Sequence, residues 1–290
     1  MTMQKLFYED IEYNQFGKCY NKLLTVSENR KGVLDVDTVK GCKLGIEAYP
    51  NGGCYGECYA YKNANRYGLN FSISSSRILN RYNMENIFLA VKNHSATWYR
   101  IGVSGDPCHD WENTIFVCEF LYNTGKIPVI ITKHWIALSN KQLFRLEKLF
   151  AVINTSTSGM DTDNEIKYRV EQIKRIKNFS IRSINRIVTC KYGKSVWAKR
   201  AQKKQDYLLS LKPIIDNPFR VGKSNVLVLN KDIFITKRQD SVGGGKFISL
   251  HDENVYLGKC KECIDQCGVN KSLLNERKYN GKNKQAEPIF

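Results

Sequence analysis

Several common features are missing from this sequence, and each absence narrows what the chain can be. No stretch approaches the roughly 18 uninterrupted apolar residues that a membrane span needs. Met1–Asp10 has neither the apolar run nor the small-residue cleavage site of a signal peptide, so a cytoplasmic protein with no membrane partner is expected. Acidic residues are scarce: 28 Asp+Glu face 45 Lys+Arg, a net charge of +17 over 290 residues. No long internal repeat or low-complexity segment is present. The Gly243–Gly244–Gly245–Lys246 run lacks the spacing of a phosphate-binding loop and reads as a flexible turn. What is present is enough to fold, since 42% hydrophobic and 11% aromatic residues exclude an intrinsically disordered chain. Ten cysteines in a reducing compartment are better explained as metal or cluster ligands than as a disulfide framework.

Turn residues and hydrophobic periodicity divide the chain into an N-terminal extension (1–41), a middle zone (42–240) and a basic, cysteine-bearing C-terminal extension (241–290). The middle zone alternates short β-rich runs with amphipathic stretches, the pattern of repeated βα units around a parallel sheet. Strands are predicted at Trp98–Ser104, Ile127–Thr132, Ala151–Ser156 and Ile184–Cys190, with a late one at Val226–Leu229. Trp111, Ile115, Cys118, Leu121 and Tyr122 share one helical face, and Gly125 ends that helix. Ser139 with Gln142, and Thr162 with Glu165, are capping-box signals; the second helix turns Ile166, Val170, Ile173 and Ile176 inward. A further helix is predicted over residues 195–211. Near six units of about 33 residues predict an α/β fold, a partial (β/α)6 TIM-type barrel with the C-terminal extension attached. In such folds chemistry sits at the carboxyl ends of the strands, which places Ser104–Asp110, Thr132–Trp135 and Ser156–Asp161 on one rim.

The most informative stretch is Gly41–Gly68, reading GCKLGIEAYPNGGCYGECYAYKNANRYG. Cys42, Cys54 and Cys58 lie in a loop whose glycines let the backbone wrap a bulky inorganic group. Thiolates beside basic residues are soft ligands for iron–sulfur clusters or zinc. The bland reading is three unrelated core cysteines. Cys260, Cys263 and Cys267 (GKCKECIDQCG) form a second compact group outside the barrel. Their spacing suits another iron–sulfur cluster, or zinc completed by His251 or a distant cysteine. Cys118 and Cys190 read as core. Cys108, His109 and Lys133 are weak catalytic candidates on the rim, with His134 beside them, and each has an ordinary structural alternative.

The loop ending in CYAY resembles the cluster-binding loop of radical S-adenosylmethionine enzymes, three cysteines separated by three and two residues and often followed by Tyr-Ala. Cys54 and Cys58 keep the three-residue gap, but Tyr61 stands where a third cysteine would follow. In the preferred alignment Cys58–Tyr59–Ala60 matches the last cysteine and Cys42 the first, eleven residues before Cys54. Gly102–Val103–Ser104–Gly105–Asp106–Pro107 is similar to the family's Gly-Gly-Glu-Pro motif. Asp106, with Glu112 after it and Ile130–Ile131–Thr132–Lys133 beyond, is similar to the spore photoproduct lyase-like branch.

The resemblance, over roughly residues 40–190, implies a [4Fe–4S] cluster on Cys42, Cys54 and Cys58 with one iron left open for S-adenosylmethionine. It implies that Ser104, Gly105 and Asp106 receive the methionyl ammonium, that Tyr59 lies near the cluster or nucleoside, and that Asn154 or Ser156 meets the ribose. An electron, from a donor protein or a small reductant, would cleave the sulfonium and release a 5′-deoxyadenosyl radical for hydrogen abstraction. Basic runs at Lys167–Lys177, Lys199–Lys204 and Lys271–Lys284 point to polyanionic partners, nucleic acid among them. The competing reading is a non-catalytic nucleic-acid-binding protein whose two cysteine groups hold structural zinc.

Overall fold

The computed structural model describes residues 23–49, 52–235, 260–263 and 265–283. Cys19, Gly243–Lys246 and His251 lie outside them. The chain enters through β1 (Val26–Glu28) and β2 (Leu34–Val36), and β3 (Val39–Lys40) pairs with β4 (Ser75–Ser76) in a small antiparallel ladder. Between those two lie α1 (Lys43–Ala48) and α2 (Tyr59–Arg66), and α3 (Met84–Asn93) follows. Then come β5 (Trp98–Ile101), α4 (Trp111–Phe120), β6 (Ile127–Thr132), α5 (Asn140–Lys148), β7 (Val152–Ser158), α6 (Asp163–Asn178) and β8 (Arg182–Thr189). The described chain continues through β9 (Lys191–Tyr192), α7 (Val196–Ser210), β10 (Ile214–Pro218), α8 (Val226–Leu229), β11 (Ile233–Phe234) and α9 (Lys271–Asn283).

Seven strands form one sheet in the order β1-β2-β5-β6-β7-β8-β10, and every pairing except β1 with β2 is parallel. Six parallel strands therefore follow one another in chain order. The sheet is open, because its edge strands β1 and β10 are not paired with each other.

The local signals explain these elements. In β6, Ile127, Val129 and Ile130 are wholly buried, as a strand covered on both faces requires. Both capping boxes form: Ser139 Oγ accepts from Gln142 N and Thr162 Oγ1 from Glu165 N, while each N3 side chain bonds back. Gly125, at φ +77°, ends the segment after α4 in the left-handed conformation that glycine adopts without steric cost.

The two faces of the sheet carry different covers. Val36, Tyr99, Ile101, Ile130 and Ile153 pack against Trp111, Ile115, Leu143 and Leu146 of α4 and α5. Burying each such side chain contributes about 1.5–3 kcal/mol. On the opposite face Trp98, Val129, Val152, Ile184 and Ile215 meet Val269, Cys260, Cys267 and Leu274 from the C-terminal segment.

Three expectations need correction. The described part of the 1–41 zone, residues 23–41, is not a separate extension: it supplies β1, β2 and β3, and Asp35 of β2 pairs with Arg100 of β5. The cysteine turns at 260–268 do not lie outside the barrel-like unit but lie against a face of its sheet. Val226–Leu229 is a one-turn helix, because Asn225 accepts from Leu227 N at its start and leaves Val226 and Leu229 exposed. The last strand of the sheet is Ile214–Pro218, whose polar Asp216 and Asn217 hide its period.

Candidate functional site

At the carboxyl ends of the strands, the glycine loop after β5 and the cysteine loop are built against each other. Gly41 and Gly105 form a parallel bridge, with Gly41 N donating to Ser104 O at 3.1 Å. A Cβ on Gly105 would lie 2.6 Å from Gly41 O and 2.7 Å from Val39 O, so only glycine admits this approach. Asp37 holds the same loop from below, accepting from Val103 N (2.8 Å), Ser104 N (3.0 Å) and the Ser104 hydroxyl. Burial nevertheless pushes the Asp37 carboxyl above its ordinary value. The Tyr59 hydroxyl donates to Val103 O, tying the start of α2 to the glycine loop.

The three thiols meet here. Cys42 is the N-cap of α1 and Cys58 the N-cap of α2, while Cys54 opens the 3-10 turn between them. Cys54 donates to the Cys58 sulfur, Cys42 feels the charge of Cys54, and Cys58 feels that of Cys42. The Cys42 sulfur accepts from Gly45 N–H and the Trp135 indole, but burial pushes its thiol well up. For Cys58, the Cys54 bond and the N–H groups of Tyr61 and Ala60 prevail against burial and bring the thiol down to about 7. Helix N-termini with N–H groups aimed at sulfur are suited to thiolate ligands, since such bonds stabilise the anion and tune any metal it holds.

Gly45 is fitted to its neighbour: an added Cβ would sit 2.6 Å from Cys42 Sγ. Gly45→Ala is therefore expected to swing the Cys42 sulfur out of its place while leaving far-ultraviolet circular dichroism unchanged. Thiol-labelling rates at Cys42 in the two proteins would check this, and equal rates would contradict it.

Beneath the cysteine loop lies a buried charge network. Lys133 Nζ donates to Asp161 Oδ1 (3.0 Å) and Tyr55 OH (2.6 Å), and lies 4.6 Å from the centroid of the Tyr55 ring. Arg169 Nη1 is 2.6 Å from Asp161 Oδ2, an ion pair whose angle falls outside hydrogen-bond geometry, and the guanidinium lies 4.8 Å from the Trp135 ring centroid. Tyr49 and Tyr55 hydroxyls also donate to Asp161. Burial alone would raise Asp161, but the Lys133 and Arg169 cations hold it down at about 2. Tyr55, at φ +61° beside Cys54, is thus anchored from below. Lys133 is a buried structural cation and not a free rim charge.

Asp106 is engaged by the chain itself. Its carboxylate accepts from Cys108 N (3.1 Å), Thr132 Oγ1 (2.6 Å), Lys133 N (2.7 Å) and the Cys108 thiol. These four donors make Asp106 the cap of the turn and tie β6 to it, the structural alternative for this residue at a strand end before Pro107. Cys108 is 1% exposed in the core, where burial and Asp106 keep it a neutral thiol; Cys118 and Cys190 are core as predicted. His109 is half-buried on the rim with Nε2 unbonded. Asn154 Nδ2 donates to the Cys267 carbonyl (3.0 Å) while its Oδ1 is buried without a hydrogen-bond partner, and Ser156, two residues on, remains partly exposed on the same face.

His134 is fully buried, tilted against Trp111, with neither ring nitrogen hydrogen-bonded. Burial holds its pKa at about 4, below the ordinary 6.5. The unfolded chain therefore binds the proton first, and stability is lost as pH falls from about 6.5 to about 4, by about 1.4 kcal/mol per pH unit. His134→Phe should flatten that slope in urea unfolding; an unchanged slope would show that another group sets it.

Sequence reasoning missed Asp161 as the hub, with Arg169, Tyr49 and Tyr55. Arg169 could have been found: it lies three residues after Ile166 and four before Ile173, on the stripe predicted to face inward, where an unpaired charge would be costly. Among the described residues no three His, Cys, Asp or Glu side chains converge tightly enough to hold a single metal ion. The iron–sulfur reading survives that result, since a polynuclear cluster spaces its ligands more widely than one ion does. No protein-family model matches the chain, and no curated protein matches it significantly.

Proposed function

We propose that the protein is a radical S-adenosylmethionine enzyme on a partial-barrel scaffold, with Cys42, Cys54 and Cys58 as the ligands of a [4Fe–4S] cluster. The observation that carries this reading is the convergence of the three thiols at the carboxyl end of an open parallel sheet, with N–H groups directed at the Cys42 and Cys58 sulfurs. The residues fit the group: three thiols leave one corner open, since the nearby Cys108 is a core thiol engaged with Asp106, and glycines 41, 45 and 105 allow close backbone approach. When bound, the cluster and S-adenosylmethionine would supply reductive cleavage to an adenosyl radical.

The chain's own part is to hold the thiols and shield the site. The Lys133–Asp161–Arg169 network fixes Tyr55 beneath Cys54, Tyr59 joins α2 to the glycine loop, and Asp37 sets that loop's height. The test is to purify anaerobically, reduce with S-adenosylmethionine present, and assay 5′-deoxyadenosine. Cys54→Ala should abolish the product with secondary structure intact. Undiminished product in that variant would sink the assignment.

The substrate class favoured by the surface is a polyanion such as nucleic acid. Two basic runs distant in sequence meet across a cleft of about 550 Å³ between α6 and α7, where Lys167, Lys174, Lys203 and Lys204 outnumber Asp163 and Glu171 and Lys204 is paired with Asp163 at 3.4 Å. Lys204 also donates to the Asp161 carbonyl (2.6 Å), so the cleft reaches the loop that carries the buried network. Replacing Lys174 and Lys203 by Ala should weaken single-stranded nucleic-acid binding and reduce the salt slope by about 1.4, at roughly 0.7 per lost phosphate contact. An unaltered slope would remove this cleft from the interface.

A further inference from the structure

The face of the sheet away from α4 and α5 carries the second group of thiols in a built setting. Cys260 N donates to Lys31 O (2.9 Å), and Cys263 N to Cys260 O (3.2 Å). The Cys263 sulfur accepts the N–H groups of Asp265 and Gln266, as the Cys58 sulfur accepts those of Ala60 and Tyr61. Gln266 and Cys267 adopt φ of +40° and +53°, a left-handed stretch that costs on the order of 1 kcal/mol for each non-glycine residue. The surroundings hold it there: Asn154 Nδ2 donates to Cys267 O (3.0 Å), Arg182 Nε donates to Gly268 O, and Gly268 packs so closely on Ile184 that a Cβ would lie 2.7 Å from its Cγ1.

The electrostatics of this face are lopsided. Arg186 Nη1 approaches Cys267 Sγ at 4.0 Å, and Lys31 and Arg100 lie within electrostatic reach of Cys260, although burial prevails and pushes that thiol up to about 11. Arg220, Arg186 and Arg100 all lie within electrostatic reach of Lys31. Among the described residues, only Arg100 of these four cations has an ion-pair partner, bidentate to Asp35 at 2.9 and 3.1 Å. Cations gathered in a partly dehydrated place need a counter-anion.

We propose that Cys260, Cys263 and Cys267 hold a second iron–sulfur cluster on this face of the sheet, its negative thiolate shell balanced by Lys31, Arg100, Arg186 and Arg220. Three thiolates outweigh the charge of a cluster core, so the assembled centre is an anion for Lys31, Arg186 and Arg220, which have no ion-pair partner among the described residues, whereas Arg100 already has Asp35 and Arg186 also has the Asp265 carboxylate within electrostatic reach. Zinc fits less well, since no three described donors converge on a single ion. A cleft of about 1050 Å³ bordered by Lys31, Trp98, Arg182, Ile184, Cys260 and Gln266 opens from the amino ends of the strands and provides an entry path. The inference stands apart from the enzymatic reading, because the thiols concerned are separate from Cys42, Cys54 and Cys58.

The test compares the full chain with Cys54→Ser, with Cys263→Ser/Cys267→Ser, and with Arg186→Gln, all purified anaerobically. Iron, acid-labile sulfide and zinc are measured per chain, and electron paramagnetic resonance spectra are recorded after reduction. Cys54→Ser and the double variant should each lose about half of the iron and sulfide, and each should retain a signal the other lacks. Arg186→Gln, which keeps all three thiols, should move the second signal to a more negative potential, because a cation favours the reduced cluster.

The proposal is overturned if the double variant, folded by circular dichroism, keeps the full iron and sulfide. It is equally overturned if stoichiometric zinc is lost in place of iron, or if the face binds inorganic phosphate through Arg186 with no metal present. Should the double variant not fold, an Arg186→Gln chain with an unshifted second signal overturns it. Loss of 5′-deoxyadenosine with this second signal intact would count against the first site alone.

Discussion

Asp161→Ala is expected to lower the unfolding free energy by about 3–5 kcal/mol, because it strands two buried cations that share one carboxylate. Lys133 and Arg169 are 7% and 1% exposed in their side chains, so water cannot readily replace what is removed. Asp161→Asn preserves shape without the charge and should be nearly as costly, which separates electrostatics from packing. Urea unfolding checks both; a loss below about 1 kcal/mol would mean the cations had found other partners. The wild-type pair also has a pH signature. Asp161 is held at about 2 against an ordinary 3.8, so its contribution is complete above about pH 4 and disappears as pH falls through 2. Since Tyr49 and Tyr55 also bond to this carboxylate, the cysteine loop should loosen before the sheet does.

The second large effect is expected at the glycine loop. Gly102 has φ +94°, and a Cβ there would lie 2.1 Å from Ile131 O, a backbone atom that cannot move without disturbing β6. Gly105 faces the backbone of residues 39–41 with comparable closeness. Strain with overpacking at Gly102, and overpacking alone at Gly105, should make Gly102→Ala or Gly105→Ala destabilising by about 3 kcal/mol or more. Gly68→Ala is the control: its φ is +66° but nothing lies within 4 Å, so only the conformational cost of about 1 kcal/mol applies. Thermal unfolding of the three variants orders them, and equal losses would contradict the close approach described for residues 102 and 105.

The architecture was legible where the code is local. Two capping boxes, the Gly125 stop and the wholly apolar β6 each state their structure within a few residues, and all four appear in the folded chain. Legibility failed where tertiary contact decides. Ile214–Pro218 carries Asp216, whose carboxylate is met by Thr189 Oγ1 at 2.5 Å across the sheet, a partner no local pattern discloses. Val226–Leu229 is apolar enough to suggest a strand, yet one Asn turns it into a helix. At the candidate site the thiols were readable from type and spacing. The Asp161 network was not, because its members come from the cysteine loop, the turn after β6, the turn after β7, and α6. Asp106 is a related case: motif similarity gives a position, whereas its four donors belong to the tertiary structure.

The chain-ordered sheet has a consequence for biosynthesis. Each parallel strand emerging from the ribosome meets an edge laid down just before it, so the scaffold can assemble by accretion with short loops to close. All seven strands are made by Pro218, whereas the turns bearing Cys260, Cys263 and Cys267 are translated more than forty residues later. Until they arrive, Trp98, Val129 and Ile184 await the Val269 and Leu274 side chains that cover them in the finished fold. A nascent chain arrested in that interval would expose an adhesive apolar face, and cells making it would need a chaperone or rapid completion to keep it from aggregating.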